Sequence, residues 1–396
     1  MDVNTFKNSF TKKSVFKNAS SLDMSYVSPK LLGRDDVLNI LIFNFRRILE
    51  EIEQPNINCL IVGDGGVGKT VVARFFGRNF RKIAKEKDIN LFVEYYNCIT
   101  FRSKSKIIRE LLAKHTQGSG RGFSDDEALK LILKQLIREK SYMLLIIDEA
   151  HLLRPEEILA FLDIAETYGY QNAKLSIILI SRTKDWMRIE TERILSRLNE
   201  KIKVKPYNYA EARQILEHRC ELAFKENVIT EDILNMISQI VVDHQNLRHG
   251  VEILRKSGIF ADKRGDTEIS ADLVRQASND VYPTFRGEIV DQLNDHELLT
   301  LYGITLSLME KNQPFTVVDS AFEQYEKICG KYSIESHVKM SFRKYIRTLN
   351  QMKIISSKTV RTEEEESGRH LEITLLDIPT VNLEAFLIKI FDRKFG

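Results

Sequence analysis

The residues best suited to chemistry form one glycine-rich segment, Gly63-Asp64-Gly65-Gly66-Val67-Gly68-Lys69-Thr70. Its glycines permit a tight turn that aims backbone N–H groups at phosphate oxygens, while Lys69 can reach the terminal phosphates and Thr70 can ligate Mg²⁺. An apolar run typical of a buried strand precedes the segment, and a helical stretch from Thr70 to about Lys82 follows it. The start of that helix adds a favourable partial charge for an anion. This context predicts a site for ATP or ADP with Mg²⁺ rather than a chance glycine-rich turn.

A second apolar run ends in two carboxylates, Asp148 and Glu149. A carboxylate at the tip of a buried strand beside a phosphate-binding loop can hold the Mg²⁺ water shell, and we predict this role for Asp148. The neighbouring Glu149 can orient and polarise the attacking water. The pair therefore favours an ATPase over an ordinary acidic helix start.

Arginines are the third candidate group, because phosphoryl transfer concentrates charge that guanidinium groups stabilise. Arg193 and Arg197 precede the last apolar strand of the first half of the chain, and Arg248 lies in a helical region. Spacing alone fits a solvated surface arginine better at each position. Their roles depend on a wider resemblance.

The predicted helices and strands that must position these side chains divide the chain into successive domains. From residues 21 to 205, apolar strands alternate with helix-length segments, which predicts an α/β fold with a parallel sheet covered by helices. Residues 206–285 show helical periodicity and predict a small helical domain. Residues 1–20 are polar and basic, and we expect them to be flexible. The predicted strands are Asn58–Val62, Phe92–Asn97, Tyr142–Ile147, Leu175–Ile180 and Lys201–Val204.

Residues 288–396 form the last of these domains, with three predicted helices followed by two apolar strands. Three helices and a β-ribbon are the pattern of a winged helix, a variant of the helix-turn-helix. The predicted helices are Asp295–Lys311, Val317–Lys331 and Ser336–Gln351, and the predicted strands are Lys353–Val360 and Leu371–Leu376.

The third of these helices contains no acidic residue between Ser336 and Met352. It is apolar on one side and basic on the other, which suits insertion between phosphate walls and favours duplex DNA over a merely solvated face. In the predicted wing, residues 361–370, we expect Gly368 and Arg369 to contact DNA while the acidic run Glu363–Glu366 points away. The candidate helix contacts are Ser336, His337, Lys339, Arg343, Lys344 and Arg347.

The amino-acid composition excludes several other classes of protein. The net charge is only +3, so nucleic-acid binding has to come from local basic faces. The four cysteines are widely scattered without a Cys-x-x-Cys pair, which suggests neither a zinc site nor a disulfide framework. No apolar run reaches the ~18 residues of a membrane span, and the start has no signal-peptide core. We expect a cytoplasmic protein with no membrane partner.

Taken in order, these motifs resemble those of the AAA+ ATPases, and more narrowly the archaeal replication initiators related to the origin recognition complex and the cell-division-control loader. The stretch from Tyr26 to Asp35 is similar to the family segment that wraps the adenine, which implies nucleotide contacts for Tyr26, Val27 and Arg34. Tyr207 resembles the entry to the family's helical lid, and Arg248 falls on its sensor 2 arginine. Both are thereby implied at the nucleotide.

The same resemblance implies further roles. The spacing from Ser181 to Arg197 matches the family's sensor 1 and arginine finger, so Arg193 or Arg197 would act on a neighbouring subunit's nucleotide. A second DNA contact is implied in an insertion at residues 102–122, where Arg121 is the candidate. One position departs from the family: sensor 1 usually holds asparagine, and here it is Arg182. We therefore predict that ATP binds tightly and turns over very slowly.

The resemblance implies an ATP-binding replication initiator that holds double-stranded origin DNA in the nucleoid. Other initiator subunits and a replicative helicase are its candidate partners. Two alternatives remain open. One is a regulatory P-loop ATPase whose winged helix contacts a protein. The other is a transcription regulator with a vestigial ATPase.

Overall fold

The structure is a computed structural model that describes residues 14–395, except 25, 51–55, 116–121, 171, 282–289, 291–292, 312, 362–368 and 376–377. It divides into two compact units. The α/β unit comprises Val27–Asn208 and Gln245–Leu247. The helical unit comprises Met1–Tyr26, Tyr209–His244 and Arg248–Gly396. Among the described residues, no helix has the length and apolar character needed to cross a membrane.

The α/β unit is built on a five-stranded parallel sheet with the order β2-β3-β4-β1-β5. Strands buried on both faces are nearly continuous apolar runs, which is why the sequence marked them clearly. Alternate side chains enter two cores, one on each face: Leu60 and Val62 pack in the first, and Cys59 and Ile61 in the second. The strands are β1 Asn58–Gly63, β2 Leu91–Asn97, β3 Tyr142–Asp148, β4 Lys174–Arg182 and β5 Glu200–Lys203.

Helices cover this sheet between the strands. The helix after the glycine-rich segment begins at Lys69 and ends at Glu86, so it is longer than predicted. Short 3-10 turns occur at Ala19–Leu22, in the helical unit, and at Ala150–Leu152. The helices of the α/β unit are α1 Asp35–Leu49, α2 Lys69–Glu86, α3 Lys104–His115, α4 Asp125–Arg138, α5 Pro155–Leu162, α6 Ile164–Thr167, α7 Thr183–Trp186 and α8 Glu192–Leu195.

Strand register brings the candidate residues to one edge of the sheet. Gly63 pairs with Arg182 across β1 and β4, and Asn97 pairs with Asp148 across β2 and β3. Because all five strands are parallel, their carboxyl ends meet at this edge, where α/β sheets bind ligands.

The helical unit begins with the segment from Ser14, which packs on α9 (Tyr209–Ala223). Phe16 stacks on Phe224 with ring centroids 5.0 Å apart, and the Lys17 N–H donates to Ala223 O. Val15 is 3% exposed. The expected flexibility of residues 1–20 is therefore wrong for residues 14–20, and residues 1–13 lie outside the described part. Three more helices follow: α10 Glu231–His244, α11 Leu247–Arg264 and α12 Ala271–Val281.

The end of the chain is a winged helix with one core of its own. Its three-stranded sheet has the order β6-β8-β7, in which Thr316–Val317 (β6) is a strand that sequence reasoning missed. A two-residue strand has no recognisable pattern and exists here through its pairing with β8. The other elements are α13 Asp295–Lys311, α14 Val318–Lys331, α15 Lys339–Gln351, β7 Ser356–Arg361, β8 Arg369–Thr374 and α16 Thr380–Phe395.

Several elements of the winged helix differ from the prediction. The third helix begins at Lys339 rather than Ser336, because Val338 is extended and occupies the N-cap position. The two main strands lie at Ser356–Arg361 and Arg369–Thr374, displaced from the predicted ranges. The final helix, Thr380–Phe395, was not predicted.

A buried arginine joins α12 to the winged helix within the helical unit. Arg275 is 1% exposed and donates to Leu375 O at 3.0 Å, Pro314 O at 3.1 Å and Asp272 Oδ1 at 2.8 Å. Burial lowers the pKa of Arg275, and Asp272 opposes that shift. Asp272 also accepts from the Thr380 hydroxyl.

Replacing Arg275 with alanine is expected to destabilise the helical unit by about 3–5 kcal/mol, since it removes the hydrogen bonds that Arg275 donates to buried carbonyls and to the Asp272 carboxylate. Thermal unfolding followed by circular dichroism measures the effect. Arg264→Ala removes an exposed arginine from the neighbouring helix α11 and should leave the midpoint unchanged. Equal midpoints for the two variants would contradict the role of Arg275.

Candidate nucleotide site and DNA-binding surface

The glycine-rich loop needs glycine at two positions for steric reasons. Gly66 and Gly68 have φ angles of 75° and 88°. A Cβ at Gly66 would lie 1.7 Å from Asn246 Oδ1, and one at Gly68 would lie 2.3 Å from the Tyr207 hydroxyl oxygen. Backbone is therefore packed closely here, as a phosphate cradle requires.

Lys69 is buried at the start of α2. Its Nζ donates to Gly63 O at 2.8 Å and to Asp64 O at 2.6 Å, so the ammonium is held over the loop. Burial lowers the pKa of Lys69, while the carboxylates of Glu149 and Asp148 act in the opposite direction. The ammonium group is thus placed where phosphate oxygens can replace the two carbonyls as its hydrogen-bond acceptors.

Asp148 lies beside Thr70, the other residue predicted to hold Mg²⁺. The Thr70 hydroxyl donates to Asp148 Oδ2 at 2.7 Å, and Asp148 is 3% exposed. A hydroxyl and a carboxylate from two neighbouring elements are oxygen ligands of the kind Mg²⁺ prefers. These residues therefore fit the metal that an ATP site requires.

Tyr95 is a further member of the site that sequence reasoning missed. Its hydroxyl donates to Asp148 Oδ2 at 2.8 Å and helps to fix the carboxylate. Burial and the Asp148 charge raise the pKa of Tyr95, so it remains a donor. Tyr95 lies on β2, two residues before Asn97, and only the register of β2 with β3 shows that it lies near Asp148.

Glu149 has an unusual backbone and a crowded carboxylate. Its φ is 54°, a left-handed conformation that non-glycine residues rarely adopt and that is often associated with functional sites. Glu149 Oε2 lies 3.4 Å from His151 Nε2 and 3.7 Å from Arg182 Nε. The oxygen expected to orient water is therefore already engaged by neighbouring side chains.

His151 connects Glu149 to the end of β4. Its Nδ1 lies 3.1 Å from Ser181 Oγ, and its Nε2 lies 3.6 Å from Asp185 Oδ2. Arg182 follows Ser181 and keeps 56% of its side chain exposed. The sequence singled out Arg182, but it gave no signal that His151 and Asp185 would join the same cluster.

Arg34 supports the loop from behind. Its Nε and Nη2 donate to Val67 O at 3.0 and 2.8 Å, and Nη2 also donates to Lys205 O. The guanidinium carbon lies 3.4 Å from the centroid of the Tyr207 ring. Arg34 and Tyr207 thus brace the loop, and their predicted contact with nucleotide stays a prediction.

Three other predicted nucleotide contacts are placed as follows. Val27 belongs to the α/β unit, and its carbonyl accepts from Arg78. Tyr26 belongs to the helical unit, where its ring lies under Arg219. Arg248 is the second residue of α11, in the helical unit.

The two candidate arginine fingers differ in their surroundings. Arg197 Nε lies 2.7 Å from Asp163 Oδ1, and Nη1 lies 3.3 Å from Glu166 Oε2. Arg193 is exposed, and within the described part of the chain its guanidinium has no ion-pair partner. Arg193 is therefore the one already available to another molecule.

Helix α15 exposes most of its predicted DNA contacts. Arg343, Lys344 and Arg347 are exposed, whereas Lys339 forms an ion pair with Asp319 of α14. Phe342, Ile346 and Leu349 form the buried face of the helix.

The remaining predicted DNA contacts lie before the helix, in the wing and in the insertion. Ser336 is exposed. The His337 ring stacks on His296 at 3.6 Å, and its Nδ1 lies 2.6 Å from the Tyr345 hydroxyl. Arg369 is the first residue of β8, and its side chain is not among the described side chains. Gly368 and Arg121 lie outside the described residues.

Three family models match successive parts of the chain. The AAA domain matches residues 54–185, the Cdc6 AAA+ ATPase-type lid domain matches 213–279, and the CDC6 C-terminal winged helix domain matches 288–384. In each of these three parts the chain is therefore similar to Cdc6-type AAA+ proteins. Both the recognition from sequence and the α/β fold with lid and winged helix are confirmed.

Relatives and solved structures of such proteins extend along nearly the whole chain. The chain is 27% identical to ORC1-type DNA replication protein 1 of Archaeoglobus fulgidus, over 94% of this chain and 91% of that protein. Cdc6p from Pyrobaculum aerophilum has the same fold, with a TM-score of 0.86, 23% identity and coverage of 97% of this chain and all of that one (100%). The Aeropyrum pernix ORC1 protein in complex with DNA has a TM-score of 0.61 and 22% identity, covering 97% and 98%.

Proposed function

We propose that this chain is a replication initiator that binds double-stranded origin DNA through its winged helix. In this proposal bound ATP acts as a slowly hydrolysed switch, and the protein works at the nucleoid. The observation that carries the proposal is the exposed basic face of α15, a helix without acidic residues, in a chain that also brings Thr70 and Asp148 together beside a glycine-rich loop. A DNA replication protein among its relatives and a DNA complex among its structural neighbours support it.

We assign the following roles in nucleotide binding to the side chains at the carboxyl edge of the sheet. The loop from Gly63 to Gly68 and Lys69 would hold the phosphates, and Thr70 with Asp148 would hold Mg²⁺, which neutralises charge on the phosphate oxygens when bound. Glu149 would orient water. Arg193 would reach the nucleotide of an adjacent subunit. Its guanidinium has no ion-pair partner among the described residues, which favours it over Arg197, whose guanidinium is paired with Asp163 and Glu166.

The proposed DNA binding depends on exposed cationic side chains of α15. Arg343, Lys344 and Arg347 share one face of α15 and have no acidic neighbour within the helix. Phosphate contacts of this kind supply most of the affinity of a DNA-binding helix. A second contact from the insertion, through Arg121, and a third from the wing, through Gly368 and Arg369, complete the proposal.

Replacing Arg343 and Arg347 together with alanine is expected to weaken duplex binding at low salt. It should also lower the slope of log K against log salt by about 1.8, since each lost phosphate contact removes about 0.9. Fluorescence anisotropy with a labelled duplex at several salt concentrations measures both quantities.

The matched control removes two exposed cations from α16 of the same winged helix, Lys389 and Arg393. This Lys389→Ala/Arg393→Ala variant changes net charge by the same amount, so it separates contact from bulk charge. If both double variants show the wild-type slope, α15 does not contact DNA and the proposed function fails.

A further inference from the structure

An exposed methionine interrupts the basic face of α15. Met340 is 83% exposed, the highest value among the exposed large hydrophobic side chains described. Arg343, Lys344 and Arg347 follow it at the spacings i+3, i+4 and i+7, which place side chains on one face of a helix. Val338, at the N-cap of the same helix, is 70% exposed. Two apolar side chains therefore lie in solvent among the cations.

Folding does not account for this exposure. The buried face of α15 is complete without them, since Phe342, Ile346 and Leu349 pack into the core of the winged helix. Single exposed apolar residues are common on protein surfaces. A pair at the leading end of the helix that carries the proposed DNA contacts points to a ligand with a matching apolar group.

We propose that Met340, assisted by Val338, reads the 5-methyl group of thymine in the major groove. This inference rests on the proposed function and adds to it a base-specific contact. The thymine methyl is the apolar group on the major-groove edge of the base pairs, and it is recognised by apolar side chains. The cations around Met340 match the phosphate walls on either side of the groove. A methionine side chain adapts its shape readily to such a methyl group.

The arrangement fits DNA better than an apolar protein groove. A protein partner would have to present an apolar centre ringed by acidic groups opposite Arg343, Lys344 and Arg347. Duplex DNA supplies the anionic walls in every sequence and the methyl group only where thymine occurs. Phosphate contacts then hold the helix in place while Met340 distinguishes thymine from the other bases.

The test removes the methyl group and nothing else. A duplex is first selected by the wild-type chain from a random-sequence pool. It is then synthesised with thymine or with deoxyuridine at each thymine position in turn. Wild type should bind the deoxyuridine form about fourfold more weakly at each contacted position, the value of one buried methyl group. The Met340→Ala variant should bind the two forms equally while keeping the wild-type salt slope.

Val381→Ala is the control, because Val381 is 57% exposed on α16 of the same winged helix. It should keep the wild-type preference for thymine. Equal binding of both forms by wild type, or an undiminished preference in Met340→Ala, overturns the inference while duplex binding and the proposed function stand. Absence of any duplex binding by wild type overturns both.

Discussion

Replacing Arg182 with asparagine is expected to raise the rate of ATP hydrolysis at least tenfold. Arg182 Nε lies 3.7 Å from Glu149 Oε2 and engages the carboxylate that should orient the attacking water. Asparagine would remove one of the two side chains that engage this oxygen, the other being His151, and would supply an amide able to hold the water. A well-placed general base contributes about 10²–10⁴-fold, so even partial recovery is measurable. A single-turnover assay with radiolabelled ATP gives the rate.

Two further variants make the Arg182 result specific. Lys184→Ala removes an exposed cation two residues away and should leave the rate unchanged. Adding Glu149→Gln to Arg182→Asn should abolish the gain, because the gain acts through Glu149. If wild type already hydrolyses ATP at the ~10 s⁻¹ typical of enzymes, ATP is not a slowly hydrolysed switch. If Arg182→Asn binds ATP without any change in rate, Arg182 does not limit hydrolysis.

Replacing Lys69 with alanine is expected to weaken ATP binding by about 100-fold or more. The buried Nζ is held over the loop by Gly63 O and Asp64 O, where phosphate oxygens would replace those carbonyls. Two charge-assisted hydrogen bonds of about 1.5–3 kcal/mol each are lost with it. Isothermal titration calorimetry measures the dissociation constant.

Lys82→Ala is the control for this experiment, because Lys82 is an exposed lysine on the same helix, α2. Its dissociation constant should equal that of wild type. An unchanged affinity in Lys69→Ala would show that the loop does not bind the nucleotide phosphates.

Local patterns made much of the fold and the centre of the site predictable. The glycine-rich loop is specified by residues adjacent in sequence, and the buried parallel strands are marked by continuous apolar runs. Asp148 could be placed because it ends such a run. Its meeting with Thr70 then followed from the parallel sheet, in which strand ends share one edge.

Contacts between distant segments could not be predicted in the same way. The contacts of His151, which follows β3, with Ser181 at the end of β4 and with Asp185 just after it depend on the register of β3 and β4. The ion pair of Lys339 with Asp319 depends on how two helices pack, which helical periodicity within one helix does not reveal.

Nuclease footprinting on the organism's own replication origins, with and without ATP, tests whether the chain binds origin DNA in an ATP-dependent way. We expect discrete protected sites within origin DNA, an extent of protection that depends on ATP, and loss of those sites in the Arg343→Ala/Arg347→Ala variant. Protection that is uniform along any duplex, or that is unchanged by the variant, would contradict the proposed function.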